Sequence, residues 1–123
     1  MNGKEILVDT NILIYLLDGD DTISYILKDK HLCISFITEL ELIGFKNITV
    51  KQEKQIQQLL SECNIIQMSD VIKKSYISLR KKYNLKLADS IIVATAISSK
   101  LPLMSADKQL KTIKELDLLI YSK

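Results

Sequence analysis

The sequence is poor in soft metal ligands, histidine bases and phosphate-loop glycines. His31 is its single histidine, and Cys33 and Cys63 are its only cysteines. No C-x-x-C spacing occurs, which argues against a zinc site of the usual Cys/His type. A Ser–His–Asp enzyme would depend on His31, which sits beside a short apolar run and reads as a strand-edge residue. Three glycines leave little room for a phosphate loop, and neither G-x-G-x-x-G nor G-x-x-x-x-G-K-[ST] is present. Tryptophan is absent and proline occurs once. No apolar run approaches the roughly 18 residues that would cross a membrane. Asp9 and Asn11 interrupt what would be the apolar centre of a signal peptide. Two unpaired cysteines suit a reducing compartment, so the expected location is cytoplasmic.

What is present reads as a folded chain. Its 123 residues are 47% hydrophobic and 26% charged, which suits one domain, residues 1–123, with its own core. A net charge of only +2 hides an asymmetry. Residues 1–62 hold 6 Lys against 5 Asp and 5 Glu, whereas residues 63–123 hold 10 Lys and 1 Arg against 4 Asp and 1 Glu. The basic half could face a polyanion or simply keep helix surfaces solvated.

Short apolar runs alternate with helical patterns. Strands are expected at Glu5–Val8, Leu32–Ser35, Asn64–Met68, Leu103–Ser105 and Leu118–Tyr121. Helices are expected at Thr10–Leu17, from Asp21 through Leu27, and at Phe36–Phe45, Val50–Cys63, Asp70–Lys82 and Leu87–Ser99. A short basic helix is expected at Asp107–Leu116. Strands apolar on both faces and separated by helices predict an α/β fold with a parallel sheet covered on both sides.

In such a sheet, ligands bind beyond the carboxyl ends of the strands. Asp9 ends the first strand, inside the stretch ILVDTNILIYLL. Ser35 ends the second, with Thr38 and Glu41 on the helix that follows. Ser105 and Asp107 follow the fourth, and Asp89 opens the apolar helix before it. Singly, Asp9, Asp89 and Asp107 could each be only a helix cap. Thr38 and Glu41 share a helix face, but periodicity alone does not choose Glu41 over Glu39. If the four carboxylates converge, they repel: two charges 4 Å apart cost about 4 kcal/mol at an effective dielectric of 20. Mg²⁺ or Mn²⁺ is the natural counter-charge for carboxylate oxygens, and it supports phosphodiester hydrolysis without a histidine base.

Four segments together resemble the PIN domain family, and within it the VapC-type toxins of bacterial toxin–antitoxin pairs. They are LVDTNILIYLL around Asp9, SFITELELIG, LKLADSIIVATAI around Asp89, and LPLMSADKQL. The second fits S-x-x-T-x-x-E-L on Ser35, Thr38, Glu41 and Leu42, with Gly44 two residues on, and so selects Glu41. The fourth carries Ser105-Ala106-Asp107 where the family commonly has Thr-x-Asn or Thr-x-Asp. The resemblance covers residues 5–121. It implies α/β/α layers around a five-stranded parallel sheet of order 3-2-1-4-5. It implies Mg²⁺- or Mn²⁺-dependent cleavage of RNA. Asp9, Glu41, Asp89 and Asp107 would hold metal directly or through water, supported by Thr10, Asn11, Thr38 and Ser105. It also implies an antitoxin partner and a homodimer, with the helices of residues 12–27 contributing to those contacts.

Arg80, Lys86, Lys108 and Lys111 flank these segments and are candidates for phosphate contact. Lys81 and Lys82 belong to the same basic cluster. Tyr15, Tyr76 and Tyr83 could stack on bases, although core or rim packing is the simpler reading. Two other functions stand beside the nuclease. One is a PIN-domain RNA-binding or regulatory protein without catalysis. The other is a phosphatase of the haloacid dehalogenase type, which needs Asp-x-Asp where this chain has Asn11.

Overall fold

Continuous apolar triplets form the centre of the sheet. In a computed structural model, which describes residues 4–122, five strands pair in parallel in the order 3-2-1-4-5. Residues 1–3 and 123 of the expected 1–123 domain lie outside the described residues. The strands are β1 (Glu5–Val8), β2 (His31–Ser35), β3 (Asn64–Ile66), β4 (Leu103–Ser105) and β5 (Leu118–Ile120). Successive side chains on a strand point to opposite faces. Leu7, Cys33 and Leu103 therefore bury on one face, and Ile6, Val8, Ile34 and Met104 on the other.

Helices α1 (Thr10–Leu17), α2 (Asp21–Leu27) and α4 (Val50–Ser61) cover the second of these faces, with Leu42 from α3 (Phe36–Ile43). Helices α5 (Asp70–Lys82) and α6 (Leu87–Ser99) cover the first. This is the three-layer arrangement that the sequence predicts. Helix α6 is buried without interruption from Ser90 to Ala96. Its hydroxyls there are satisfied within the helix: Ser90 donates to the Lys86 carbonyl at 2.8 Å and Thr95 to the Ile91 carbonyl at 2.7 Å.

Helix α4 starts on a reciprocal cap. The Gln52 amide N–H donates to the Thr49 hydroxyl at 3.0 Å, and the Thr49 N–H donates to the Gln52 side chain at 2.8 Å. Thr49→Ala is expected to cost about 1 kcal/mol of unfolding free energy. Urea denaturation reads this directly, and an unchanged midpoint would contradict it.

Several boundaries differ from the sequence reading. Helix α3 stops at Ile43 rather than Phe45, because Gly44 caps it. Helix α4 stops at Ser61, β3 at Ile66 and β5 at Ile120. The basic helix expected at Asp107–Leu116 is a 3₁₀ helix over Lys108–Thr112. Leu110 and Ile113 both enter the core beneath α5 and α6, and an i, i+3 pair lines up on one side of the tighter 3₁₀ turn. The edge strands also depart from expectation. Residues of β3 and β5 are half-buried or exposed, since each has one neighbouring strand instead of two.

Candidate active site

The strand register sets the first row of the site. Leu7 stands opposite both Cys33 and Leu103, so continuing each strand brings Asp9, Ser35 and Ser105 level at the carboxyl edge. All three are buried, and Asp9 is only 6% exposed. Asp9 both caps α1 and occupies this row. Its Oδ1 accepts the Thr10 N–H at 2.8 Å, and its Oδ2 accepts the Ser105 hydroxyl at 2.6 Å. The cap of α1 is thus Asp9 itself, with Thr10 as the first helical residue.

Ser105 is the hub between two acids. Its Oγ also accepts the Asp107 N–H at 3.0 Å. Asn11 ties the same loop from α1, its Oδ1 accepting the Ala106 N–H at 3.2 Å. Ser105→Ala would leave the buried Asp9 Oδ2 and the Asp107 N–H without this partner. The expected cost is about 1–3 kcal/mol of stability. Loss of an outer partner to a metal ligand also predicts a fall of about 10–100-fold in metal affinity, measurable by calorimetry. Wild-type affinity in this variant would contradict the positioning role.

Glu41 is brought in from α3 by hydroxyls. The Thr10 Oγ1 lies 2.6 Å from Glu41 Oε1 and 3.1 Å from Thr38 Oγ1. A hydroxyl has one proton and a carboxylate only accepts. Thr10 therefore donates to Glu41, and Thr38 donates to Thr10. Asp89 lies in the first turn of α6, whose cap position is Lys86, so Asp89 is not a capping residue. Asp107 does cap the 3₁₀ helix, its Oδ1 accepting the Gln109 N–H at 3.0 Å.

Asp9 and Asp89 both feel the charges of neighbouring acids. Burial pushes the Asp9 carboxyl above the usual range; the bonds from Ser105 and Thr10 oppose this, and the charges of Glu41 and Asp107 add to it. Burial also raises Asp89, reinforced by Asp9 and Asp107 and partly countered by Lys86. None of the four forms an ion pair with a Lys or Arg among the described residues.

A cleft of about 510 Å³ adjoins Asp89 and Asp107. Its remaining lining is Asn84, Leu85, Lys86 and Gln109. Of the four cations expected at phosphate, only Lys86 lines this cleft. Arg80 is engaged elsewhere: its Nη1 donates to the Leu85 carbonyl at 3.1 Å, and its guanidinium sits 5.9 Å from the Tyr76 ring centre. Lys108 and Lys111 are exposed on the 3₁₀ helix, outside the cleft lining. The three tyrosines are half-buried with intramolecular partners. Tyr15 meets Tyr121 at 6.0 Å between ring centres, Tyr76 lies under Arg80, and the Tyr83 hydroxyl donates to Glu115 at 2.6 Å. Asn84 and Gln109 were not singled out from the sequence, where a lone amide carries no motif.

Among the described residues, no three His, Cys, Asp or Glu side chains stand close enough to enclose one ion by themselves. The donor chemistry nevertheless fits a hard, hydrated cation. Mg²⁺ typically keeps several waters and takes only one or two carboxylates. An anionic cluster without paired cations, ordered by hydroxyls, meets that requirement.

The sheet order and this acidic carboxyl edge define the class of protein. The family model described as "PIN domain" matches residues 6–116, and the chain belongs to that family. Solved structures agree. A chain of a toxin–antitoxin complex from Klebsiella pneumoniae is 36% identical, with a TM-score of 0.79 over 93% of this chain and 95% of that one. A chain of VapBC-1 from nontypeable Haemophilus influenzae is 26% identical, with a TM-score of 0.76 over 94% and 97%. A chain of VapBC2 from Rickettsia felis, bound to a DNA fragment from its promoter, is 22% identical and shares the fold, with a TM-score of 0.82 over 96% and 99%. Comparison with curated proteins returned no match.

Proposed function

We propose that this PIN-domain protein is a Mg²⁺- or Mn²⁺-dependent endoribonuclease and the toxin of a toxin–antitoxin pair. The observation that supports the reading is that the charges of Glu41 and Asp107 reach the buried Asp9, and those of Asp9 and Asp107 reach Asp89, with no ion pair from these acids to a Lys or Arg among the described residues. Asp9, Asp89 and Asp107 would hold the metal, directly or through water, with Glu41 completing the set from α3. A bound divalent cation supplies charge neutralisation at the phosphoryl oxygens and activates water. Ser105 and Asn11 hold Asp9 and the loop bearing Asp107 in register. Thr38 and Thr10 aim Glu41. Lys86 approaches the substrate backbone from the rim.

The antitoxin has a suitable place to dock away from the acids. Between α1 and α4 runs a groove of about 780 Å³ whose walls include Leu16, Leu17, Val50 and Leu59. A smaller apolar hollow beside it includes Ile14, Phe45, Ile48 and Ile56. Exposed Val71 and Ile77 on α5 offer surface for a homodimer. No described helix is long and apolar enough to cross a membrane, and the reading places the protein with RNA in the cytoplasm.

Incubating purified protein with total cellular RNA, with Mn²⁺ or Mg²⁺ and with chelator, tests the reading. Discrete cuts that require the metal are expected. Metal binding without cleavage would favour the RNA-binding, non-catalytic alternative.

A further inference from the structure

The cleft beside Asp89 and Asp107 is more than an approach to the metal site. Two of its side chains, Asn84 and Gln109, end in neutral amides that make no side-chain hydrogen bond among the described residues. The backbones that carry them are braced from both directions. On one wall, Tyr83 donates to Glu115 Oε1 at 2.6 Å and accepts the Lys114 N–H at 3.2 Å, while Arg80 holds the Leu85 carbonyl. Lys82 closes the same clamp with a 2.9 Å ion pair to Glu115. On the other wall, the Gln109 N–H is fixed to the Asp107 carboxylate at 3.0 Å. With the backbones held, binding has only the two amide side chains left to order.

The chemistry of the lining selects the kind of group it would take. The volume, about 510 Å³, falls in the ~300–1,000 Å³ range of small-molecule sites. Two carboxylates border it, so a second anionic group is disfavoured in its interior. An amide offers donor and acceptor side by side, which matches the edge of a nucleobase. Leu85 supplies an apolar contact and Lys86 a cation for the adjoining phosphate. Single-stranded RNA presents such splayed bases to protein side chains. Resting on the nuclease reading above, we propose that Asn84 and Gln109 form a base-reading subsite that holds one nucleobase of single-stranded RNA next to the phosphate to be cut. This subsite sets the sequence preference of the enzyme, and Asn84 and Gln109 are its specificity residues.

Four hexaribonucleotides differing at one central base test this. Binding is measured on the Asp9→Asn protein, so that RNA stays whole, by NMR of side-chain amide groups. One base is expected to bind about tenfold tighter than the weakest, the discrimination expected of a well-placed polar contact to a base edge. Its binding should shift the Asn84 and Gln109 side-chain signals. Adding Asn84→Ala or Gln109→Ala should flatten the preference to within about twofold. Both positions are exposed, so the fold should tolerate the changes. Equal binding of all four, no binding, or an unchanged preference in both alanine proteins would overturn the subsite. Cleavage mapping separates the two claims. Selective binding through these amides without cutting by wild type would count against the nuclease alone. Metal-dependent cutting at the same bases in wild type and both single alanine variants would count against the subsite alone.

Discussion

Asp9→Asn is expected to lower metal-dependent RNA cleavage by more than about 100-fold, since even outer partners of a metal are worth roughly 10–100-fold. The same substitution should leave the metal-free fold as stable as wild type or more so. The reason is the environment of Asp9. It is buried, its carboxyl is pushed up by desolvation, and Glu41 and Asp107 crowd it with like charge. The amide keeps the shape and the acceptor for the Thr10 N–H while removing that charge, and its NH₂ can donate to the Ser105 oxygen where Oδ2 now accepts from it. Opposite signs for activity and stability identify a functional carboxylate rather than a simple cap. A cap would lose stability and keep activity. Parallel assays of cleavage and thermal unfolding on the two proteins check both signs.

The second large effect is on stability. Saturating Mg²⁺ or Mn²⁺ at 100 times its Kd should stabilise the native chain by about 2.7 kcal/mol, or roughly 10 °C in Tm for a domain of this size. The effect should be greatest at neutral pH. Asp9 and Asp89 both have raised folded pKa values. An acid of that kind favours the folded state while protonated, and the benefit disappears as pH rises through its folded pKa. The metal-free protein should therefore gain stability from these two groups as pH drops from neutral into mild acid. Metal stabilisation should shrink over the same interval, because protons compete for the ligands. Glu115 acts in a separate window. Its bonds from Lys82 and Tyr83 hold it down to about 2, so its contribution is present above the ordinary carboxylate range and fades below it. Thermal scans with and without metal across neutral and mildly acid pH read the sign. A Tm indifferent to metal at neutral pH would rule out metal binding to the native fold.

The central fold was legible because β1, β2 and β4 are short, apolar and bounded by turn or cap residues. Their period-two burial follows from the sheet, and the order 3-2-1-4-5 came with the family resemblance. The edges were harder to read. Met68 and Tyr121 extend an apolar pattern that pairing does not reach. The 3₁₀ turn at Lys108–Thr112 was hidden because Leu110 and Ile113 satisfy either helical period locally. Within the site, periodicity could not choose between Glu39 and Glu41. The S-x-x-T-x-x-E pattern chose Glu41, which is the residue that Thr10 reaches from α1. A contact far apart in sequence, such as Tyr83 to Glu115, depends on the tertiary fold. Of the four cations named along the chain, Lys86 lines the cleft beside Asp89 and Asp107, a placement that only the tertiary fold reveals.

We propose above that the acidic edge holds a divalent metal. Crystals grown with Mn²⁺ and measured for anomalous scattering test it most directly. A peak is expected among Asp9, Asp89 and Asp107, absent from Asp9→Asn crystals under the same conditions. No peak at this edge at saturating Mn²⁺, or a peak that persists in Asp9→Asn with unchanged strength, would contradict it.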